Sequence, residues 1–236
     1  MVLLKENQVV KNPEEILVPS IEIISQDLSS LTLTTTEDDL AAKLVDIEDN
    51  NDVKFDTVDI PGKGQGMIAT TKIYPGDVIY AETPLIIVPD DIFNDVEACE
   101  EFLEKKINLL SSEDRELLLG LIDCRNADET FQYCGKFYTN AMNYDGDAAI
   151  CPIIARANHS CRPNAEFVSR PDLGRQLLVA MYIIEEEEEI SINYMPMLEE
   201  GTDIRDVRQS YLRKWYGFQC CCRACTLQVA GKLLLN

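Results

Sequence analysis

Histidine is almost absent from this 236-residue chain. The only one is His159, so any chemistry that needs an imidazole has a single place to happen. Positive charge is scarce as well. Lysines and arginines number 21 against 42 aspartates and glutamates, a formal charge of -21, which repels phosphate backbones and attracts cationic partners. Direct nucleic-acid binding is thereby disfavoured, and a basic protein or peptide partner is expected. No apolar run approaches the roughly 18 residues of a membrane span, and the N-terminal MVLLKENQVVKNPEE turns polar too early for a secretory signal. The chain reads as soluble and intracellular, nuclear or cytoplasmic, without a membrane anchor. Residues 1–50 hold no glycine, cysteine or aromatic residue. Their acidic, Ser- and Thr-rich texture predicts an extension that is disordered or loosely docked, with room for one strand.

Cysteine, by contrast, is abundant and unevenly spread. Of nine cysteines, Cys220, Cys221, Cys222 and Cys225 fall within six residues. Without a secretory signal such clustering points to metal binding rather than to a disulfide framework. Cys220, Cys222 and Cys225 form C-x-C-x-x-C. Cys221 points away from its neighbours in an extended chain. A structural zinc site held by thiolates takes four tetrahedral ligands, so one must come from elsewhere, and the candidate is Cys161.

From Phe55 the texture is β-type: short apolar runs at 55–60, 67–73 and 78–88, separated by Pro61-Gly62-Lys63-Gly64 and Pro75-Gly76. Between about 90 and 140 the pattern turns helical. Val96, Cys99, Phe102, Leu103, Ile107 and Leu110 recur at three and four, and Ser111-Ser112-Glu113-Asp114 resembles a capping box ahead of a helix over 115–122. Strands return at 165–169, 176–184 and 190–194, and a helix is expected over 203–215. The expected fold is mainly β (α+β) with a helical insert.

Gly64-Gln65-Gly66-Met67-Ile68-Ala69 matches G-x-G-x-x-A, the pattern of a dinucleotide-binding turn. That reading requires a helix directly after the glycines. Thr70, Thr71 and Ile73 are β-branched and Pro75-Gly76 follows at once, so no helix fits. A hairpin turn, or a turn whose bare backbone lets a small cofactor lie against it, remains open.

Taken in order, Lys63 to Ala69, Arg156-Ala157-Asn158-His159-Ser160-Cys161-Arg162-Pro163-Asn164, Glu188-Glu189-Ile190-Ser191-Ile192-Asn193-Tyr194 and Tyr216-Gly217-Phe218-Gln219-Cys220-Cys221-Cys222-Arg223-Ala224-Cys225 resemble a SET-domain protein-lysine methyltransferase. The resemblance spans about residues 53–226 and is nearest to the SET-and-MYND group and its fungal relatives. It implies small β-sheets with a knot-like C-terminal crossing, a SET domain over 51–219 with its insert at about 90–140, and a zinc-binding post-SET segment over 220–236. It further implies a cofactor, S-adenosylmethionine, bound by Lys63, Gly64, Gly66, Asn140, Asn158, His159, Tyr194 and Phe218. Tyr194 would be the catalytic tyrosine, Tyr216 a wall of the lysine channel, and Cys161 with Cys220, Cys222 and Cys225 the ligands of one structural Zn2+. The implied function is methylation of lysine side chains on a basic protein, histone or other. The alternative is an inactive SET-like module that binds a basic partner. The chain departs from the group in having no Cys/His array of the MYND type, and no helical-repeat domain is expected after Asn236. The usual glycine before the paired glutamates is Glu187, so that turn is expected to be built differently.

Chemistry supports these roles. A neutral lysine at pH 7 is unfavourable by roughly 4–5 kcal/mol, so an apolar channel that desolvates the amine is needed. Ile190, Ile192 and Tyr194 share one face of an alternating strand, which directs the tyrosine toward apolar surroundings. An asparagine at 158 can both donate and accept, matching the ammonium and carboxylate of an amino-acid cofactor. A Cys/His nucleophilic pair is excluded for His159 if Cys161 is metal-bound. The expected place of its ring is beside the cofactor, with backbone hydrogen bonds, not as a catalytic base. The 185–189 glutamate run is expected to be a solvated loop.

Overall fold

A computed structural model describes residues 53–125, 131–195 and 204–226. The expected N-terminal extension, and the last ten residues of the expected 220–236 segment, lie outside the described residues. Among the described residues no helix is long and apolar enough to cross a membrane.

Three small sheets carry the fold. Strands β1 (Phe55–Ile60) and β2 (Gly64–Ala69) form a hairpin in register from Phe55 opposite Ala69 to Ile60 opposite Gly64. Its turn needs left-handed backbone at Gly62 (φ 78°) and Gly64 (φ 74°), which glycine adopts without a Cβ clash. No helix follows these glycines, so the dinucleotide-turn reading falls with the strand that replaces it. The other partner of β2 is β10 (Glu189–Ile192), antiparallel, and β10 in turn pairs in parallel with the two-residue β7 (Asn158–His159). In the second sheet β9 (Arg175–Ala180) lies between β3 (Val78–Glu82) and β8 (Ala165–Arg170). The third orders β4 (Ile86–Val88), β6 (Asp147–Ile150) and β5 (Met142–Tyr144). The run at 78–88 is therefore two strands in different sheets.

Helices fill the insert. After the short α1 (Asp90–Phe93), helix α2 (Val96–Ile107) starts where Asp95 accepts hydrogen bonds from the N–H groups of Glu97 and Ala98, both at 3.0 Å. Its residues Cys99, Leu103 and Ile107 are buried at i, i+4 and i+8, and each large aliphatic so buried contributes roughly 1.5–3 kcal/mol. Helix α3 (Ser112–Leu119) begins three residues before the sequence expectation, because Ser111 itself is the cap, accepting from Asp114 N–H at 3.1 Å. Helix α4 (Cys134–Asn140) has no local side-chain cap. The carboxylate of Glu100 on α2 accepts instead from the N–H groups of Gln132, Tyr133 and Cys134. That cap satisfies orphan donors that no pattern near residue 134 would reveal.

The insert and the third sheet share one core, from Ile86 and Val88 through Leu103 and Phe137 to Ile150. A second core lies between the other sheets, with Met67, Ile73, Ile154, Leu178, Ile184, Ile190 and Ile192. Helix α5 (Arg205–Tyr216) ends on Gly217 in left-handed conformation and packs Leu212 into a third cluster with Met195, Cys220 and Cys225.

In the turn before β10, Glu187 occupies the left-handed region at φ 67°, a conformation that favours glycine, so the turn carries a strained residue. Its N–H donates to Ala69 C=O while Ala69 N–H donates to Glu188 C=O, both at 2.9 Å. These two bonds hold the strained residue against β2.

Candidate active site

Parallel pairing of β7 with β10 sets Asn158 beside Ser191 and His159 beside Ile192. The zipper continues past the strands. Ser160 N–H donates to Ile192 C=O at 2.9 Å, and Tyr194 N–H donates to His159 Nδ1 at 3.0 Å. Ile190 and Ile192 are buried while Ser191 is only partly so, and Tyr194 packs against the same core, on the face that alternation assigned to it.

Four rings converge there. Tyr194 lies 5.0 Å from Tyr216, 5.4 Å from His159 and 6.5 Å from Phe218 between ring centroids, and Phe218 is 6.1 Å from His159. Tyr194 is anchored at three points. Its N–H goes to His159, its C=O accepts from the Tyr216 hydroxyl at 3.0 Å, and its own hydroxyl donates to Ala157 C=O at 2.8 Å. Burial raises the pKa of both Tyr194 and Tyr216 well above the ordinary phenol value. Both are neutral at pH 7. For His159, 5% exposed, burial pushes the pKa down to about 4. A backbone N–H can only donate, so Nδ1 is the unprotonated nitrogen and the neutral ring carries its proton on Nε2.

On the other side of Asn158 lies the glycine strand. A Cβ on Gly66 would come within 2.4 Å of Asn158 Nδ2 and of Ile60 Cδ1. A bare backbone is what lets the amide lie on β2. Asn158 Nδ2 donates to Glu189 Oε1 at 3.2 Å, and Lys63 Nζ makes an ion pair with the other oxygen of the same carboxylate. Glu189 thus joins Lys63 to Asn158. Asn140 stands apart from this network: its amide donates to the C=O groups of Ile122 and Lys136, both at 2.7 Å, and no hydrogen bond among the described residues links it to Asn158 or His159.

The cysteine sulfurs of Cys161, Cys220, Cys222 and Cys225 all lie within 4.8 Å of one another. Cys161 is 3.9 Å from Cys220 and 3.6 Å from Cys225. A tetrahedron with metal–sulfur bonds of about 2.3 Å has edges near 3.8 Å, so the set can hold a metal ion, with Cys161 as the distant fourth ligand. Cys221 is exposed and outside the set.

Several residues of this region escaped sequence reasoning. The Gln209 side chain pairs with the Cys220 backbone through two hydrogen bonds, at 2.7 and 2.9 Å. Burial works against the charge of Arg208, but hydrogen bonds to Cys161 and Cys225 hold its pKa above the ordinary arginine value. The Arg125 guanidinium lies 5.6 Å from the Tyr138 ring and 5.0 Å from the Trp215 ring, tying the insert to α5. Arg208 and Gln209, a polar pair buried with Leu212 on α5, carry a helical-face signal. Arg125 and Glu189 have none, because their partners are distant in sequence.

Such an arrangement, with an asparagine and histidine paired beside a half-buried tyrosine and a four-cysteine cluster next to them, agrees with the family match. Residues 64–195 match the SET domain model, and the chain belongs to the SET-domain family. It is 33% identical over 175 residues to the histone-lysine N-methyltransferase set5 of Schizosaccharomyces pombe, covering 74% of this chain and 51% of that protein. A SET domain-containing protein of Acanthamoeba polyphaga mimivirus is 28% identical over 74% of this chain and 78% of its own length. Human histone-lysine N-methyltransferase SMYD3 is 36% identical over 97 residues, 40% of this chain and 21% of that protein. The chain spans about half the length of the Schizosaccharomyces pombe relative.

Proposed function

We propose that the chain transfers methyl groups from S-adenosylmethionine to lysine side chains of a basic protein. The observation that carries the reading is the three-point anchoring of Tyr194 inside the ring cluster of His159, Tyr216 and Phe218. Support comes from the lysine methyltransferase names of two relatives.

When bound, the cofactor supplies an electrophilic methyl on a sulfonium. Lys63, Gly64, Gly66, Asn158, His159 and Phe218 would hold it. The bare backbone at Gly66 admits the Asn158 amide against β2, and an amide placed there, able both to donate and to accept, fits the amino-acid end of such a cofactor. With both amide hydrogens of Asn140 committed to carbonyls, it would join these residues through its Oδ1, as an acceptor. Tyr194 and Tyr216 wall the lysine channel, and their rings desolvate the amine, which favours its neutral form. Because Tyr194 stays protonated, it is not the base. With its proton given to Ala157 C=O, the phenol oxygen keeps lone pairs to orient the amine N–H groups. The proton of the lysine therefore leaves to solvent before transfer.

The four sulfurs favour a structural Zn2+, since a set of four thiolates with no open position suits that ion. A net charge of -21 and the exposed Glu185 to Glu188 favour a basic substrate, histone or other, in the nucleus or cytoplasm. The test is mass spectrometry of a cell lysate treated with the purified protein, beside Tyr194→Phe. Wild type is expected to add methyl groups to lysines, and Tyr194→Phe to lose most turnover while binding S-adenosylhomocysteine normally by calorimetry. A protein that binds that ligand yet methylates no basic protein would instead be the inactive binding module.

A further inference from the structure

We propose that His159 is a positioning residue that couples the cysteine cluster to Tyr194, passing from the sulfur of Cys161 through one imidazole to the tyrosine's backbone N–H. The inference rests on the metal loading argued above. Its geometry is on both sides of the ring. Nδ1 accepts from Tyr194 N–H at 3.0 Å, and Nε2 lies 3.4 Å from Cys161 Sγ. The first bond dictates the second, because a ring whose Nδ1 accepts has its proton on Nε2, aimed at the sulfur. A metal-bound sulfur is a negative acceptor, and N–H bonds to such acceptors are stronger than those between neutral groups. Metal loading thereby tightens the contact that fixes the ring, and the ring fixes the tyrosine.

The opposite flank of Tyr194 also leads back to the cluster. Its C=O is held by Tyr216, four residues before Cys220, and the Cys220 backbone is clamped by Gln209. The third anchor, Ala157 C=O, also lies on a ligand-bearing segment, four residues before Cys161. The ring spans the gap with one contact on each nitrogen, to a sulfur two residues away and to a backbone N–H 35 residues away. This is the reverse of the usual outer-sphere role, in which a carboxylate or carbonyl orients a ligating histidine. Here the histidine is not a ligand, and the ligand orients it.

The sole histidine makes the test direct, since a histidine-labelled protein shows one imidazole. The full chain is labelled with nitrogen-15 at histidine and tyrosine, loaded with zinc or with cadmium-113, and its metal content measured by elemental analysis. At pH 7 the ring is expected to show a protonated Nε2 and an unprotonated Nδ1. The Nε2 proton should couple to cadmium-113 through the sulfur. The Tyr194 amide signal should shift between the zinc and cadmium forms. In His159→Asn, whose amide oxygen still reaches the Tyr194 N–H but whose side chain is too short to reach Cys161, that metal-dependent shift should be lost. A ring protonated on Nδ1, an absent cadmium coupling, or a metal-dependent Tyr194 shift that survives in His159→Asn would each overturn the proposal. The first two outcomes are read on wild type, so a misfolded variant does not protect it. Protein that takes up no metal at all would overturn the metal reading and this inference with it, whereas metal uptake without the coupling overturns this inference alone.

Discussion

Replacing Gly66 with alanine separates the proposed cofactor site from the sheet that carries it. The added Cβ would stand 2.4 Å from Asn158 Nδ2 and 2.4 Å from Ile60 Cδ1, more than 1 Å inside the roughly 3.5–4.0 Å of ordinary contact. Something must move. Relief on the Ile60 side is an overpacking problem, worth roughly 1–3 kcal/mol of stability. On the Asn158 side the amide must leave Glu189 Oε1, 3.2 Å away, and with it the place from which it would meet the cofactor. A hydrogen bond to a charged group is worth roughly 1.5–3 kcal/mol, so S-adenosylhomocysteine should bind roughly ten- to a hundredfold more weakly by calorimetry. The double variant Gly66→Ala with Ile60→Val, which removes the offending Cδ1, should recover thermal stability but not affinity. If affinity returned together with stability, the loss would belong to a displaced strand, and the role given to Asn158 would be wrong.

Other perturbations test separate parts of the molecule. Cys161→Ser should lower metal content and destabilise the segment after α5; unaltered metal by elemental analysis would remove Cys161 from the ligand set. Glu187→Gly relieves a left-handed glutamate and should stabilise the protein by about 1 kcal/mol, read as a melting temperature higher by roughly 2–4 °C; a lower one would mean that the glutamate is not strained there. Glu82 is raised to about 7 by burial, against the pull of hydrogen bonds from the Ile153 and Ile154 N–H groups. The folded chain therefore binds this proton where the unfolded chain, near 4.5, has released it, so the associated stability is full below about pH 4.5 and lost as pH rises through 7. The swing is about 3 kcal/mol. Melting curves of wild type and Glu82→Gln between pH 4.5 and 8 should diverge; parallel curves would refute the shift. Glu82 matters to the site because it pins the turn that leads into Asn158 and His159.

Much of this protein was legible in its sequence for a physical reason. Alternating apolar residues at 190, 192 and 194 chose the face on which Tyr194 lies. Local spacing placed α2, and the glycines at 62 and 64 marked a turn that needs positive φ. Four ordered motifs carried the family. Where local signals ran short, the errors were local too: helix α3 began early because Ser111 is its cap, and the 185–189 run contributes Glu189 to the site rather than lying wholly in solvent. At Glu187 the turn takes positive φ without a glycine, and hydrogen bonds to β2 hold it there against a strain of roughly 1–2 kcal/mol.

Only the tertiary structure decided what lies next to what. The pairing of β7 with β10 joins residues 158–159 to 191–192 across two intervening strands, and a pattern of period two says nothing about which strand it will meet. That pairing brings the sole histidine between Cys161 and Tyr194 and selects its tautomer. It also carries Glu189 to Lys63 and Asn158. Residue type and spacing determined which groups this chain has to work with. Long-range closure, which gathers groups from separate segments around one half-buried tyrosine, determined which of them touch.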